Sequence, residues 1–352
     1  MDHIERLNLP SPPTKEWKAV VKDFTQPRLG AATWQLVNSV GLYVALWVGM
    51  YFMLQSDLSW KWFAITPTAL LAGALLVRVF IIFHDCGHFS FFKSKRTNNI
   101  WGFITGTLVF TPYQHWRWEH SVHHAHNGHL DRRGVGDIWT MTVDEYIAAS
   151  PGRKLLYRLG RNPFVLFVIG PMWTFMITHR FPNPSAKSKD KMSVLYSNLA
   201  IAVMVTTLGL TFGWMNYIII TLICMTVAST CGVWLFYVQH QFEDTYWEKA
   251  ENWDYFKAAV YGSSFYKLPK FFQWFSGNIG YHHIHHLSSK IPNYNLEKCH
   301  NSHPMFSSIE PLTFWKSLKC INFRLWDEET MRLITFRQFR EKLSLAEKSM
   351  TA

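Results

Sequence analysis

Four stretches of the chain are almost free of charge and stay apolar for about six helical turns: residues 34–54, 62–83, 194–213 and 217–238. Each holds 20 to 22 residues. At ~1.5 Å rise per residue this matches a hydrocarbon core roughly 30 Å thick, so each predicts a membrane-crossing helix. Arg78 alone interrupts them, near one end of its run, where a long stem can carry the charge to the interface. Residues 100–113 and 163–178 form two shorter apolar runs of 14 and 16 residues. Both fall below spanning length and predict re-entrant or interfacial helices. Residues 182–191 read as a linker, and the charged stretch 327–350 as an amphipathic helix.

Charge fixes the expected orientation. With four spans, connections 55–61 and 214–216 lie on one side and carry one basic residue, Lys61, whereas 33 of the 35 Lys and Arg fall on the other. That bias predicts a multi-pass plasma-membrane protein with both termini and all large loops in the cytoplasm. Residues 1–30 carry both charge signs and Pro10, Pro12 and Pro13, with no apolar core, so no cleavable signal peptide is expected. Composition agrees with the pattern. Only 17% of residues are Asp, Glu, Lys or Arg, 16% are aromatic and 49% hydrophobic, which excludes a disordered chain and disfavours a soluble multidomain one. The net charge of +11 is then mostly topological, and no nucleic-acid partner is implied. Five cysteines without a CxxC pair offer neither a disulfide framework nor a cysteine-based metal site.

Histidine carries the candidate chemistry. Thirteen of the 17 histidines fall in three windows and one isolated position. The first window holds His84 and His88. The second holds His120, His123 and His124, flanked by His115, His126 and His129. The third holds His282, His283, His285 and His286, and His240 stands alone just past the last span. Residues three and four apart share a helix face, so each window can aim its imidazoles at one place. Imidazole suits Fe, Zn, Cu or Ni and suits Mg or Ca poorly. Eight ligands exceed what one ion holds, so two metals are expected. His3, His179, His300 and His303 read as surface or hydrogen-bonded residues, and His115, His126, His129 and His283 as flanking groups.

The pattern H-x3-H, H-x2-H-H, H-x2-H-H, interleaved with spans, resembles the integral-membrane fatty acid desaturases across essentially the whole chain. The segments FIIFHDCGH, DIWTMTVDEY, GVWLFYVQHQFED and GNIGYHHIHH resemble the bacterial acyl-lipid, Δ5-type branch. The resemblance implies an all-α membrane fold of one domain over residues 1–352. A cytoplasmic segment 1–33 precedes four transmembrane helices, two interfacial or re-entrant helices and the first two windows (34–238); a cytoplasmic cap with the third window (239–352) completes a dimetal site. It implies a non-haem di-iron centre held by His84, His88, His120, His123, His124, His282, His285 and His286, with His240 as ninth ligand by placement. Some relatives carry Asn four residues before that histidine; here the position is Phe236. Iron is the family's implication, since imidazoles alone also accept zinc. O2 would be co-substrate, and membrane phospholipid acyl chains would gain a cis double bond whose position no sequence rule fixes.

Neutral imidazoles leave metal charge uncompensated, so Asp85, Glu119, Asp137 and Asp244 are expected to orient ligands and balance charge. Trp101, Trp116, Trp118, Trp139 and Trp234 are candidates to line the substrate's path. The chain has no cytochrome, dinucleotide fingerprint or iron–sulfur cysteine pattern, so electrons are expected from a separate ferredoxin or flavodoxin. Membrane di-iron hydroxylases and monooxygenases form the rival enzyme class. A histidine-based metal transporter or sensor is the rival outside enzymes.

Overall fold

The computed structural model describes Glu5, Leu7 and residues 9–351; His3 lies outside the described residues. Four helices are long and apolar enough to cross a membrane: Leu29–Gln55, Lys61–Gly87, Ser188–Phe212 and Trp214–His240. The second and fourth have 27 residues each, about 40 Å of helix against a hydrocarbon core of about 30 Å. Their apolar stretches end near Phe83 and Val238, but the helices do not. They run on far enough to carry His84 and His240.

Between the third and fourth spans the predicted three-residue connection is absent. Gly213, at φ +79°, makes the turn alone, and residues 214–216 already belong to the fourth helix. The left-handed backbone is cheap only for glycine. Lys61 Nζ donates to the carbonyls of Leu54 and Ser56 (both 3.0 Å), closing the end of the first span.

The second and fourth spans approach closely at Gly73. A Cβ there would stand 2.7 Å from the Cys224 carbonyl oxygen and 2.7 Å from Val227 Cβ. Cys224 Sγ also donates to the Ala69 carbonyl (3.3 Å). Arg78 departs from the expected outward reach and is 7% exposed. Its Nε donates to Ser39 Oγ in the first span (2.9 Å), its Nη1 donates to the Trp274 carbonyl, and its guanidinium lies 4.3 Å from the Trp274 ring centroid. Partners on both sides remove the need for water, so the side chain ties the helix Lys270–Phe275 to the spans.

The two short apolar runs depart from single helices. The first divides between the helix Lys95–Leu108 and the start of the helix Tyr113–His126, broken where Phe110 takes φ +54°. The second becomes a π-helical stretch Val165–Ile169 and the helix Gly170–Met176.

The expected helix over 327–350 also begins differently. Phe323–Asp327 and Arg332–Thr335 pair as an antiparallel hairpin, joined in parallel at one edge by Met141–Thr142. Asp327 accepts the Thr330 hydroxyl (2.9 Å), Met331 turns the chain at φ +53°, and Leu333 and Ile334 are buried. Only Phe336–Thr351 is helical. Local hydrogen bonds from the acidic tip and burial of the strand override the charge periodicity that suggested one helix.

The N-terminal helix Thr14–Lys22 buries Trp17 and Val21 in a cluster with Ile284, Leu287 and Leu296. This segment therefore packs on the same face of the molecule as the third histidine window. Gly73→Ala should lower the thermal midpoint in detergent by an amount corresponding to about 1–3 kcal/mol. An unchanged tryptophan-fluorescence melt would contradict the close crossing.

Candidate metal centre

Four elements deliver the histidines. His84 lies in the last turn of the second span and His88 caps it. His120, His123 and His124 share the helix Tyr113–His126, which is held by Tyr113 Oη donating to the Cys86 carbonyl (2.7 Å) and the Gln114 N–H donating to Ser193 Oγ (3.0 Å). His240 is the final residue of the fourth span. His282, His285 and His286 ride on the short helix His282–Leu287. Tyr255 Oη caps the end of that helix on the carbonyls of His286 and Leu287 (both 3.1 Å).

All nine imidazoles meet. His84, His88, His120, His124 and His285 bring ligand atoms within 4.8 Å of one another, and so do His123, His240 and His286. His282 joins the second group, its Nε2 lying 2.9 Å from His240 Nε2 and 3.0 Å from His286 Nε2. The groups abut where the His124 and His286 rings stack at 4.2 Å.

Protons decide what this packing means. His84 Nδ1 faces Asp85 Oδ1 (3.0 Å), His123 Nδ1 faces Asp137 Oδ1 (2.7 Å), and His240 Nδ1 faces the Gly262 carbonyl (3.3 Å). Each of these acceptors fixes the ring hydrogen on Nδ1 and leaves Nε2 a bare lone pair. His123 Nε2 and His240 Nε2 then face each other at 3.2 Å with no hydrogen to share. Two lone pairs at that distance repel unless a cation lies between them.

The first group repeats the spacing, at 3.1 Å for His120–His124 and 3.0 Å for His124–His285. Burial first, and then the neighbouring imidazoles, push His88, His120, His124, His282, His285 and His286 well below the ordinary imidazole value. They are neutral at pH 7, the form a metal needs. Edges near 3 Å are those of nitrogens sharing an ion at about 2.0–2.1 Å. The donor set therefore fits two transition-metal ions.

The acidic candidates divide. Asp85 and Asp137 bear on ligand rings, and Asp137 Oδ2 also accepts the Gly134 N–H (3.1 Å). Glu119 lies 3.6 Å from His115 Nδ1 and lines the cavity that opens against His84 and His120. Asp244 is a correction: its carboxylate pairs with Arg332 Nε at 2.9 Å, on the hairpin. The flanking histidines also turn elsewhere. His115 Nε2 accepts the Asn183 N–H (2.8 Å), His129 lies against Trp253, and His283 Nε2 meets His300 Nδ1 at 3.0 Å.

Sequence reasoning missed Asn293. Its backbone N–H and side-chain amide both donate to Asp85 Oδ2 (2.7 and 2.8 Å), locking the carboxylate that holds His84. No spacing near the first window signals a partner 208 positions away.

An apolar cavity of about 340 Å³ opens against His84, His120 and His282, walled by Phe80, Trp116 and Phe236. Trp116 also stacks on His120, with ring centroids 4.4 Å apart. The other tryptophan candidates lie off this cavity. Trp101 packs among the spans, Trp118 beside His115, Trp139 on Tyr157 and Trp234 on Phe167.

With two histidine groups against an apolar cavity between spans, the comparison with known proteins becomes decisive. The family model described as Fatty acid desaturase matches residues 60–311, a stretch that includes all nine imidazoles. The chain belongs to the fatty acid desaturase family. It is 47% identical over 326 residues to a fatty acid desaturase of Bacillus subtilis (strain 168), covering 93% of this chain and 92% of the relative. It is 30% identical over 279 residues to a Synechocystis sn-1 acyl-lipid omega-3 desaturase (ferredoxin), 75% of this chain and 74% of the relative. A sn-1 oleoyl-lipid 12-desaturase from the same organism is 26% identical over 294 residues, 81% and 79% respectively. As a member of the family this desaturase is an oxidoreductase, and its four apolar helices make it a membrane protein.

Asn293→Ala should weaken metal binding by roughly tenfold or more, the size seen when a ligand-orienting partner is lost. A competition titration of the detergent-solubilised protein measures this. Wild-type affinity would show that Asp85 needs no such support.

Proposed function

We propose that this desaturase introduces a cis double bond into saturated acyl chains of membrane phospholipids, at a di-iron centre held by the nine imidazoles. The observation that carries the proposal is the pair of abutting histidine groups facing an apolar cavity between the second and fourth spans. Two iron ions with O2 would supply the oxidising power that an unactivated C–H bond requires and that acid–base side chains lack. In the balance, the acyl chain gives up two hydrogens with their electrons, a donor gives two electrons, two protons are taken up, and O2 leaves as two waters.

The chain's own residues do the positioning. Asp85 and Asp137 hold ring hydrogens on Nδ1 so that Nε2 faces inward, and burial keeps the other rings neutral. Phe80, Trp116 and Phe236 offer an apolar wall that excludes water and aligns a hydrocarbon chain. The flanking-segment resemblance favours the Δ5 position, and the positive-inside bias favours a plasma-membrane protein with a cytoplasmic centre. The N-terminal segment packing with the third window supports reading residues 1–352 as one domain.

A separate ferredoxin or flavodoxin would supply electrons, docking on the basic surface that the +11 charge implies. The word ferredoxin in the name of one Synechocystis relative supports this donor class.

Labelled saturated phospholipid incubated with membranes expressing the chain should yield a cis-monounsaturated product, whose bond position mass spectrometry assigns. A hydroxylated product, or none from metal-loaded protein with a working donor, would sink the reading. His123→Ala and His285→Ala should reduce product to background while the protein still inserts in the membrane. With purified enzyme and a reductase, turnover should require ferredoxin or flavodoxin and should slow as salt is raised. Failure of both carriers would remove that donor assignment.

A further inference from the structure

The cavity beside the imidazoles has a floor. On the fourth span Met225, Ala228, Ser229, Gly232, Phe236 and Gln239 line it, at spacings of three and four that keep them on one helix face. This face ends beside His240, and from Met225 to His240 the helix rises about 22 Å. Its middle is a trough, because Ala228, Ser229 and Gly232 are small and a Cβ built on Gly232 meets nothing within 4 Å. At the far end the trough stops against Met225 and Leu76 of the second span, 3% and 1% exposed.

Behind these two side chains lies a second apolar cavity, of about 550 Å³, bounded by Trp47, Tyr51, Tyr217 and Thr221. Leu76 and Met225 line both cavities, and no other residue does so among those described. The partition between two hydrocarbon-compatible spaces is therefore a single layer formed by two side chains, and one is an unbranched thioether that can change rotamer readily.

We propose that Met225, seated against Leu76, sets how far the distal end of the acyl chain runs past the histidine cluster, and that the second cavity is the extension it closes off. This rests on the reading above, in which the first cavity holds the acyl chain. Shortening Met225 to alanine removes three heavy atoms from the partition and joins the spaces. Longer chains would then place the same methylenes beside the imidazoles without folding back. One methylene more or less in an apolar pocket discriminates substrates by roughly tenfold or more, so the effect is one of chain-length preference.

The test uses the full-length protein in a host without a desaturase, its lipids supplied with saturated chains from myristate to arachidate. Products are resolved by chain length and bond position, and protein and metal content are measured in the same membranes. Met225→Ala should raise product from arachidate relative to palmitate by roughly tenfold or more. Leu76→Ala, on the other helix, should move the ratio in the same direction. Gly232→Leu should fill the trough and depress product from every chain at wild-type metal content. Wild-type profiles in both alanine variants would overturn the role of the partition while leaving the desaturase reading intact. Full activity in Gly232→Leu would overturn the trough as the acyl path. No product from metal-loaded wild-type protein with a donor would overturn the underlying reading and this inference with it.

Discussion

Imidazole lone pairs packed nitrogen to nitrogen repel one another, and the fold holds nine such rings together at the end of a membrane bundle. Protonation of His88, His120, His124, His282, His285 or His286 would not relieve the crowding, because burial and the neighbouring rings disfavour charge on them. Cations between the nitrogens relieve it. Ions bound there would couple metal binding to folding, the scaffold gathering the donors and the ions supplying the attraction that keeps them. Much of the surrounding structure serves that gathering. The second and fourth spans run past their apolar stretches to carry His84 and His240, a short helix is capped by Tyr255 Oη, and Asp85 is held twice by Asn293.

The same constraint accounts for the cap. The third window is only six residues of helix, too short to stand alone. It is buried beneath Trp17, Val21 and Leu296, so the N-terminal segment and the helix Asn293–Ser302 press it toward the spans. Arg78 works from the other direction: a guanidinium inside the bundle binds Ser39 in the first span and Trp274 in the cap. A buried charge is costly unless both its environment and its hydrogen bonds are fixed. This one therefore favours a single placement of the cap on the helices.

The spans and the ligand windows were legible because each is a local signal: an apolar run of fixed length, and histidines at helical spacing. What the sequence hid depends on partners far along the chain. Asn293 lies 208 positions from Asp85, and Arg332 pairs with Asp244 because a hairpin forms where charge periodicity suggested helix. Arg78 was read as reaching outward because its position near the end of an apolar run says nothing of Trp274. His240 stood out only through its placement after a span, yet its carbonyl partner Gly262 orients its ring through a longer, neutral counterpart of the contact Asp137 makes with His123. Local pattern reports which side chains can share a face; it does not report which proton each ring keeps.

The two long helices that carry ligands also define the apolar space beside them. They come together at Gly73, against Cys224 and Val227, and the space between them opens toward the imidazoles, where Ala228, Ser229 and Gly232 occupy the facing turns. A helix pair that is tight at one level and separated by small residues at another makes a groove with a fixed depth and an imidazole-facing end. Because His84 and His240 sit on these same helices, the distance from groove floor to ligand cluster is a property of helical rise, not of flexible loops. A substrate without polar landmarks along its length can be measured only by such a ruler: one end stopped by side chains, the other lying against the chemistry.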